Sequence, residues 1–184
     1  LDPIEIEITN FDDGKTEYFE AANNPENPED GSRKIPFTKH LYIEREDFSN
    51  NPPPKYQRLK PEGEVRLMGA YIIKCSEIIY GNDGNVQKLL CTADLETGNG
   101  MPTDGRKVKG TIHWVSKEYA ANATVNLYDN LFTIEDPGDM DETKTFRDYL
   151  NPNSLKVMRN AKLEPAMNEF VSGKRYQSVS YTHL

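Results

Sequence analysis

An all-β fold of the barrel or sandwich type is the class this 184-residue chain predicts. Twelve glycines and twelve prolines punctuate short segments in which apolar and polar residues alternate. Helical spacing is scarce: Glu142–Tyr149 and Glu164–Phe170 could each hold two turns. Two compositional breaks, Asn50–Pro54 and Glu135–Asp141, divide the chain into an outer module made from both ends and an inserted module from the middle.

The elements follow in order. Ile4 to Ile8 alternates and reads as a strand; Asp12, Asp13 and Gly14 turn the chain, and Lys15–Glu20 returns to complete a hairpin. Asn23–Arg33 is dense in Asn, Pro, Glu and Gly and reads as a surface loop. The segment HLYIEREDF (His40–Phe48) is a further strand, ended by Asn50, Asn51 and the stiff spacer Pro52–Pro54. Glu64–Leu95 reads as one long hairpin, with Val65, Leu67, Gly69, Tyr71, Ile73 and Cys75 on one face and a turn at Gly81–Gly84. Gly110–Ser116, Ala123–Leu127 and Ser154–Leu163 supply further strands.

The net charge of −8 is unevenly spread. Residues 1–54 carry 5 basic and 13 acidic side chains, residues 55–124 carry 10 and 8, and residues 125–184 carry 7 and 9. Only the middle is basic, which suits one defined nucleic-acid face on an acidic body. Cys75 and Cys91 lie on apolar strand segments without a CxxC spacing and read as buried thiols of a reducing compartment. No apolar run approaches the ~20 residues a membrane helix needs, and no signal segment opens the chain, so a cytoplasmic protein with no membrane partner is expected.

Enzymatic signatures are missing: GxxxxGK[ST], GxSxG and HExxH do not occur, and His40, His113 and His183 lack metal-ligand spacing. No catalytic residue and no metal are therefore expected in this chain. Binding signatures are richer. Lys55, Tyr56, Gln57, Arg58 and Lys60 follow the proline spacer, and Arg66 lies eight residues beyond Arg58. Arginine and lysine hold phosphates, arginine and glutamine read base edges, and tyrosine stacks on an unpaired base. The plainer reading is a solvated strand end. In DGRKVKGTIHWVS (Asp104–Ser116), Arg106, Lys107 and Lys109 sit between Gly105 and Gly110 as possible phosphate contacts, and His113 and Trp114 read as strand residues packed in a core.

Five blocks carry a resemblance in collinear order: NNPENPEDGSRKIPFTKHLYIEREDF from Asn23, KYQRLKPEGEVRLMGAYIIKC from Lys55, DGRKVKGTIHWVS, VNLYDNLFTIEDPG from Val125, and NPNSLKV from Asn151. Together they resemble the C-terminal anticodon-binding region of glutaminyl-tRNA synthetase. The resemblance implies two β-barrels, a distal one (residues 55–139) inserted in a proximal one (1–54 and 140–177, its C-terminal strands truncated), and a non-native tail, residues 178–184. It implies that Arg58 addresses the third anticodon base, Arg66 the first and Gln177 the middle one, with Lys55, Tyr56 and Gln57 in contact with the same loop.

The partners implied are the anticodon loop of tRNA(Gln) and the catalytic domain of the parent chain. That parent is a class I ligase using ATP and Mg²⁺, whereas this region needs no cofactor and is expected to be inactive alone. Two features depart from the pattern. Met68 stands where a second basic residue is common, and SVSYTHL after Gln177 replaces the expected continuation, with Ser180 at the place of an arginine. The same region of a eukaryote-type glutamyl-tRNA synthetase and a 5S rRNA-binding barrel protein are the alternatives. A β-barrel hydrolase is a third, for which no nucleophile and base are visible.

Overall fold

The computed structural model describes residues 1–102, 104–141 and 143–169. Among them the chain forms strands β1 (Pro3–Ile8), β2 (Glu17–Ala22), β3 (Ser32–Phe37), β4 (His40–Glu44), β5 (Glu64–Leu67), β6 (Ile72–Tyr80), β7 (Val86–Ala93), β8 (Thr111–Ile112), β9 (Trp114–Ser116), β10 (Ala121–Tyr128) and β11 (Leu155–Leu163). Helical structure in these residues is limited to short 3₁₀ turns, so the all-β class holds.

Seven strands make one sheet in the order β8-β5-β6-β7-β1-β4-β9. Its two edges are consecutive pieces of a single segment, Thr111–Ser116. Thr111 and Ile112 pair in parallel with Arg66 and Leu67, whereas Trp114–Ser116 pairs antiparallel with Leu41–Ile43. One strand of IHWVS thus nearly closes the sheet into a barrel, leaving His113 at the changeover. The alternation read in the sequence sets the inside: Ile4, Ile6 and Ile8 of β1 are buried, as are Val65, Leu67, Ile73, Leu89, Cys91, Ile112 and Trp114. Phe37 sits at the hub of an edge-to-face aromatic cluster, with ring centroids 5.0 Å from Phe11, 5.1 Å from Tyr71 and 5.3 Å from Trp114.

Several expectations change in three dimensions. The turn at Gly14 forms with φ of 72°, but β1 and β2 make no hairpin. Both edges of β1 are already taken, by β4 antiparallel and β7 parallel, so β2 pairs with β3 instead and packs Phe19 onto the core. The loop expected at Asn23–Arg33 ends earlier, since β3 begins at Ser32. The strand expected over His40–Phe48 stops at Glu44 and gives way to a 3₁₀ turn, Arg45–Asp47. Glu64–Leu95 contains a second turn, because Gly69 at φ 68° reverses the chain between β5 and β6.

The split into residues 1–54 with 140–177 and residues 55–139 is not the division the main sheet follows. β1 and β4 share it with β5 to β9. The spacer Pro52–Pro54 is a loop within this barrel, because its flanks pair with each other: the Leu59 amide donates to the Asp47 carbonyl (2.9 Å) and the Ser49 amide to the Leu59 carbonyl (3.1 Å), with the Leu59 side chain fully buried. IHWVS consequently belongs to the sheet that contains the N-terminal strand. β10 and β11 form a separate antiparallel pair with a bulge between Ala123 and Val125.

Neither expected helix forms. In Glu142–Tyr149, Asp148 accepts hydrogen bonds from the Thr145 amide and hydroxyl, and Asp141 accepts from the Thr143 amide, so side chains satisfy the backbone locally and only Phe146–Tyr149 coils as a 3₁₀ turn. After Glu164 the chain makes a 3₁₀ turn, Pro165–Glu169. Phe170, Gln177 and the expected tail 178–184 lie outside the described residues. No helix of the described residues is long and apolar enough to cross a membrane.

Candidate nucleic-acid interface

A cleft of about 500 Å³ opens where the chain after the proline spacer meets the span Lys107–Gly110. Gly110 makes that meeting close. A Cβ on it would lie 1.7 Å from the Gln57 carbonyl oxygen, so only glycine lets the two backbones touch here. The Arg66 amide then donates to the Gly110 carbonyl at 2.8 Å, joining this span to β5. Tyr56, Gln57, Arg58 and Lys60 form one side of the cleft and Lys107, Val108 and Lys109 the other.

Five basic residues, Arg58, Lys60, Lys74, Lys107 and Lys109, face two acidic ones, Glu62 and Glu64, a local balance of +3 in a chain of net −8. Lys74 pairs with Glu62 at 2.7 Å and Glu64 with Arg106 at 3.1 Å. Among the described residues no ion pair joins Lys60, Lys107 or Lys109 to a carboxylate, and all three are exposed. These three therefore dominate the field in the cleft, which is that of an anion site.

Arg58 is held against the wall. Its Nε lies 3.3 Å from the buried Asp47 carboxylate and its Nη1 donates to the Glu46 carbonyl at 3.2 Å. The Tyr56 hydroxyl donates to the same carbonyl, also at 3.2 Å, and burial raises the pKa of its phenol. A guanidinium fork and an aromatic ring are thus fixed side by side at the edge of a cationic cleft, the parts needed to hold a phosphate and stack an unpaired base.

The other residues expected at the site lie elsewhere. Arg66 does not line the cleft; its guanidinium donates to the carbonyls of Ala70 (3.0 Å), Gly98 (3.3 Å) and Gly100. Lys55 occupies an exposed turn at φ 67° and also lies off the cleft lining. Arg106 is held by carboxylates: Nε donates to Glu64 (3.1 Å), Nη1 to Asp104 (2.7 Å) and Nη2 to Asp94. Gln177 is outside the described residues. The sequence reading missed Lys74; the signal was its place between Ile73 and Cys75, which turns it outward on β6.

A second cleft, of about 250 Å³, is lined by Pro25, Ile35, Met68, Trp114 and the charged group Arg33–Glu164–His113. Arg33 forks onto Glu164, Nε to Oε2 at 2.6 Å and Nη2 to Oε1 at 3.0 Å, while His113 Nε2 lies 3.3 Å from Oε1. Burial works to raise the Glu164 pKa, but the hydrogen bonds from His113 and Arg33 leave it below the usual carboxylate value. Trp114 Nε1 donates to the Met68 carbonyl at 3.0 Å and its ring is buried, as expected of a core residue. His113, expected beside it in the core, lies instead between β8 and β9, only partly buried and on the cleft lining.

Residues 1–94 match the family described as tRNA synthetases class I (E and Q), anti-codon binding domain, and residues 111–178 match a second family of the same description. The chain is similar to the glutamine–tRNA ligase of Rhodopirellula baltica, 51% identical over 177 residues, covering 96% of this chain and 29% of that ligase. It is similar also to the glutamine–tRNA ligases of Clostridium kluyveri, 46% identical over 177 residues, and Neisseria meningitidis serogroup A, 45% identical over 181, each match covering 96% of this chain and 32% of the relative. The chain spans about three-tenths of the length of these relatives. A barrel nearly closed by IHWVS, a cationic cleft and these matches agree, and the chain belongs to the anticodon-binding domain family of the class I tRNA synthetases for glutamate and glutamine.

Proposed function

We propose that this chain recognises the anticodon loop of a tRNA, as the anticodon-binding region of a protein that attaches glutamine to tRNA(Gln). Its part in that reaction is recognition, and bond making falls to a catalytic domain. The observation that carries the reading is the cleft, in which Lys60, Lys107 and Lys109 offer exposed positive charge beside the fixed Arg58 and Tyr56. Phosphates of a splayed loop would be held by the lysines, and an unpaired base would stack on Tyr56 and be read by Arg58 and Gln57. Gln177 and Lys55 keep the roles that the resemblance implies, contacts to the middle base and to the loop.

Fluorescence anisotropy with labelled RNA tests this. The chain should bind an anticodon stem-loop of tRNA(Gln) more tightly than the same stem-loop with an altered anticodon, and more tightly than a loop E-like duplex from 5S rRNA. Equal affinity for all three RNAs refutes it. For Arg66 the same assay separates two roles: Arg66→Ala weakening only the cognate loop supports first-base readout, and equal weakening with an altered first base assigns Arg66 to holding Gly98 and Gly100.

A further inference from the structure

We propose that Arg106 is a positioning residue for the cationic rim of the cleft, clamping the start of the Lys107–Gly110 span to the barrel through carboxylates from three places in the chain. The inference rests on the anticodon-loop reading and names the device that sets two of its lysines in place.

Each of the three guanidinium nitrogens of Arg106 serves a different carboxylate. Glu64 is the first residue of β5, Asp94 follows the last residue of β7, and Asp104 lies in the loop leading to the span. Asp94 is itself oriented, since its carboxylate accepts from the Thr97 amide (3.1 Å) and hydroxyl (2.7 Å). Those bonds, and then Arg106, hold its pKa down to about 2, so it is charged at every pH of interest.

The span beyond Arg106 has little else to hold it. Among the described residues no hydrogen bond or ion pair anchors Lys107, Val108 or Lys109, and the next fixed point is Gly110, against Gln57 and bonded to the Arg66 amide. Three residues stretched between two anchors take their course from those anchors, so the reach of Lys107 and Lys109 into the cleft depends on Arg106. An arginine whose three nitrogens are each turned to a carboxylate contributes to a phosphate site mainly through what it positions.

Charge and positioning predict opposite signs for Asp94→Asn. Removing a negative charge beside a cationic cleft tightens RNA binding if the field alone matters. If Asp94 serves to orient Arg106, the substitution loosens it: the Thr97 amide donates to Oδ1 while the Thr97 hydroxyl and Arg106 both donate to Oδ2, and an asparagine can accept at only one of those two positions. A second variant, Arg106→Lys, keeps the positive charge but replaces the planar fork by a point charge that cannot serve three carboxylates at once.

The test is anisotropy of the 184-residue chain and both variants with the tRNA(Gln) anticodon stem-loop across a salt series, with thermal melting to confirm that each is folded. The expected result is binding roughly threefold to fivefold weaker for each variant, the scale of one partly exposed ion pair, with an unchanged slope against salt because no phosphate contact is lost. Tighter binding by Asp94→Asn, or unchanged binding by a folded Arg106→Lys, overturns the positioning role while leaving the anticodon reading intact. Failure of the unaltered chain to bind the stem-loop overturns that reading and this inference with it.

Discussion

Replacing Gly110 by alanine should cost this barrel more than any cavity or charge at the same position would suggest. The added Cβ would lie 1.7 Å from the Gln57 carbonyl oxygen and 2.9 Å from its carbon. Carbon and oxygen settle at about 3.3 Å even in close C–H···O contacts, so the backbones must separate by roughly 1.6 Å. Neither is a flexible side-chain end. Gly110 also accepts from the Arg66 amide, and the flanking Leu59 and Ile112 are buried, so the shift opens the core on both sides. Overpacking costs about 1–3 kcal/mol where side chains can yield, and a backbone overlap belongs at the top of that range, about 3 kcal/mol. For a domain of this size that lowers Tm by roughly 6–12 °C. The assay is thermal melting followed by circular dichroism, with Gly105→Ala as comparison. Gly105 has φ of 73° and open space around it, so alanine there meets only the left-handed backbone penalty, about 1–2 kcal/mol. A Tm for Gly110→Ala at or above that of Gly105→Ala would refute the close-contact account.

Three further outcomes are expected. Glu164 has a folded pKa below its unfolded one, so its contribution is complete above the ordinary carboxylate range and is lost as pH falls through the lowered value. Glu164→Gln should cost about 3 kcal/mol at neutral pH, as breaking a buried pair does, and the Tm gap to the unaltered chain should close on acidification; a pH-independent gap contradicts this. Tyr71 is pushed up to about 12, first by burial and then by its hydrogen bond to Glu17. Its contribution is therefore complete below about 10, the unfolded value, and is lost as pH rises toward 12; ultraviolet titration should show a late phenolate step that Tyr71→Phe removes. Finally, substituting Lys60, Lys107 and Lys109 together by alanine should lower the salt slope of RNA binding by about 2, at roughly 0.7 for each phosphate contact on a single strand. An unchanged slope would place the phosphates elsewhere.

Much of the fold was legible in the chain because strand alternation is local. Ile4, Ile6 and Ile8 turn inward wherever β1 is placed, and the Gly81–Gly84 turn follows from residues that tolerate positive φ. That Tyr56, Gln57, Arg58 and Lys60 lie together was legible for the same reason, these residues being neighbours in sequence, and all four line the cleft. Pairing partners were not legible, since hydrogen-bonding edges are satisfied by whichever strand arrives. β2 left β1 for β3 because β4 and β7 had taken both edges. The proline spacer looked like a domain boundary because stiffness is local, whereas the bonds between Asp47, Ser49 and Leu59 that fold it back into the barrel are not.

By itself the sequence determined the all-β class, the inward faces of the strands and the kinship of the chain, because alternation, turn residues and collinear motifs are properties of order along a chain. Tertiary structure alone decided which basic residues share a cleft. Arg58, Lys60, Lys107 and Lys109 meet because Gly110 admits the Gln57 carbonyl. Arg66 and Arg106, equally basic in sequence, are drawn to carbonyls and carboxylates that folding delivers from β5, the turn between β5 and β6, and the loop between β7 and β8. Positive charge is written in the sequence, but what it faces depends on which distant segments pack beside it.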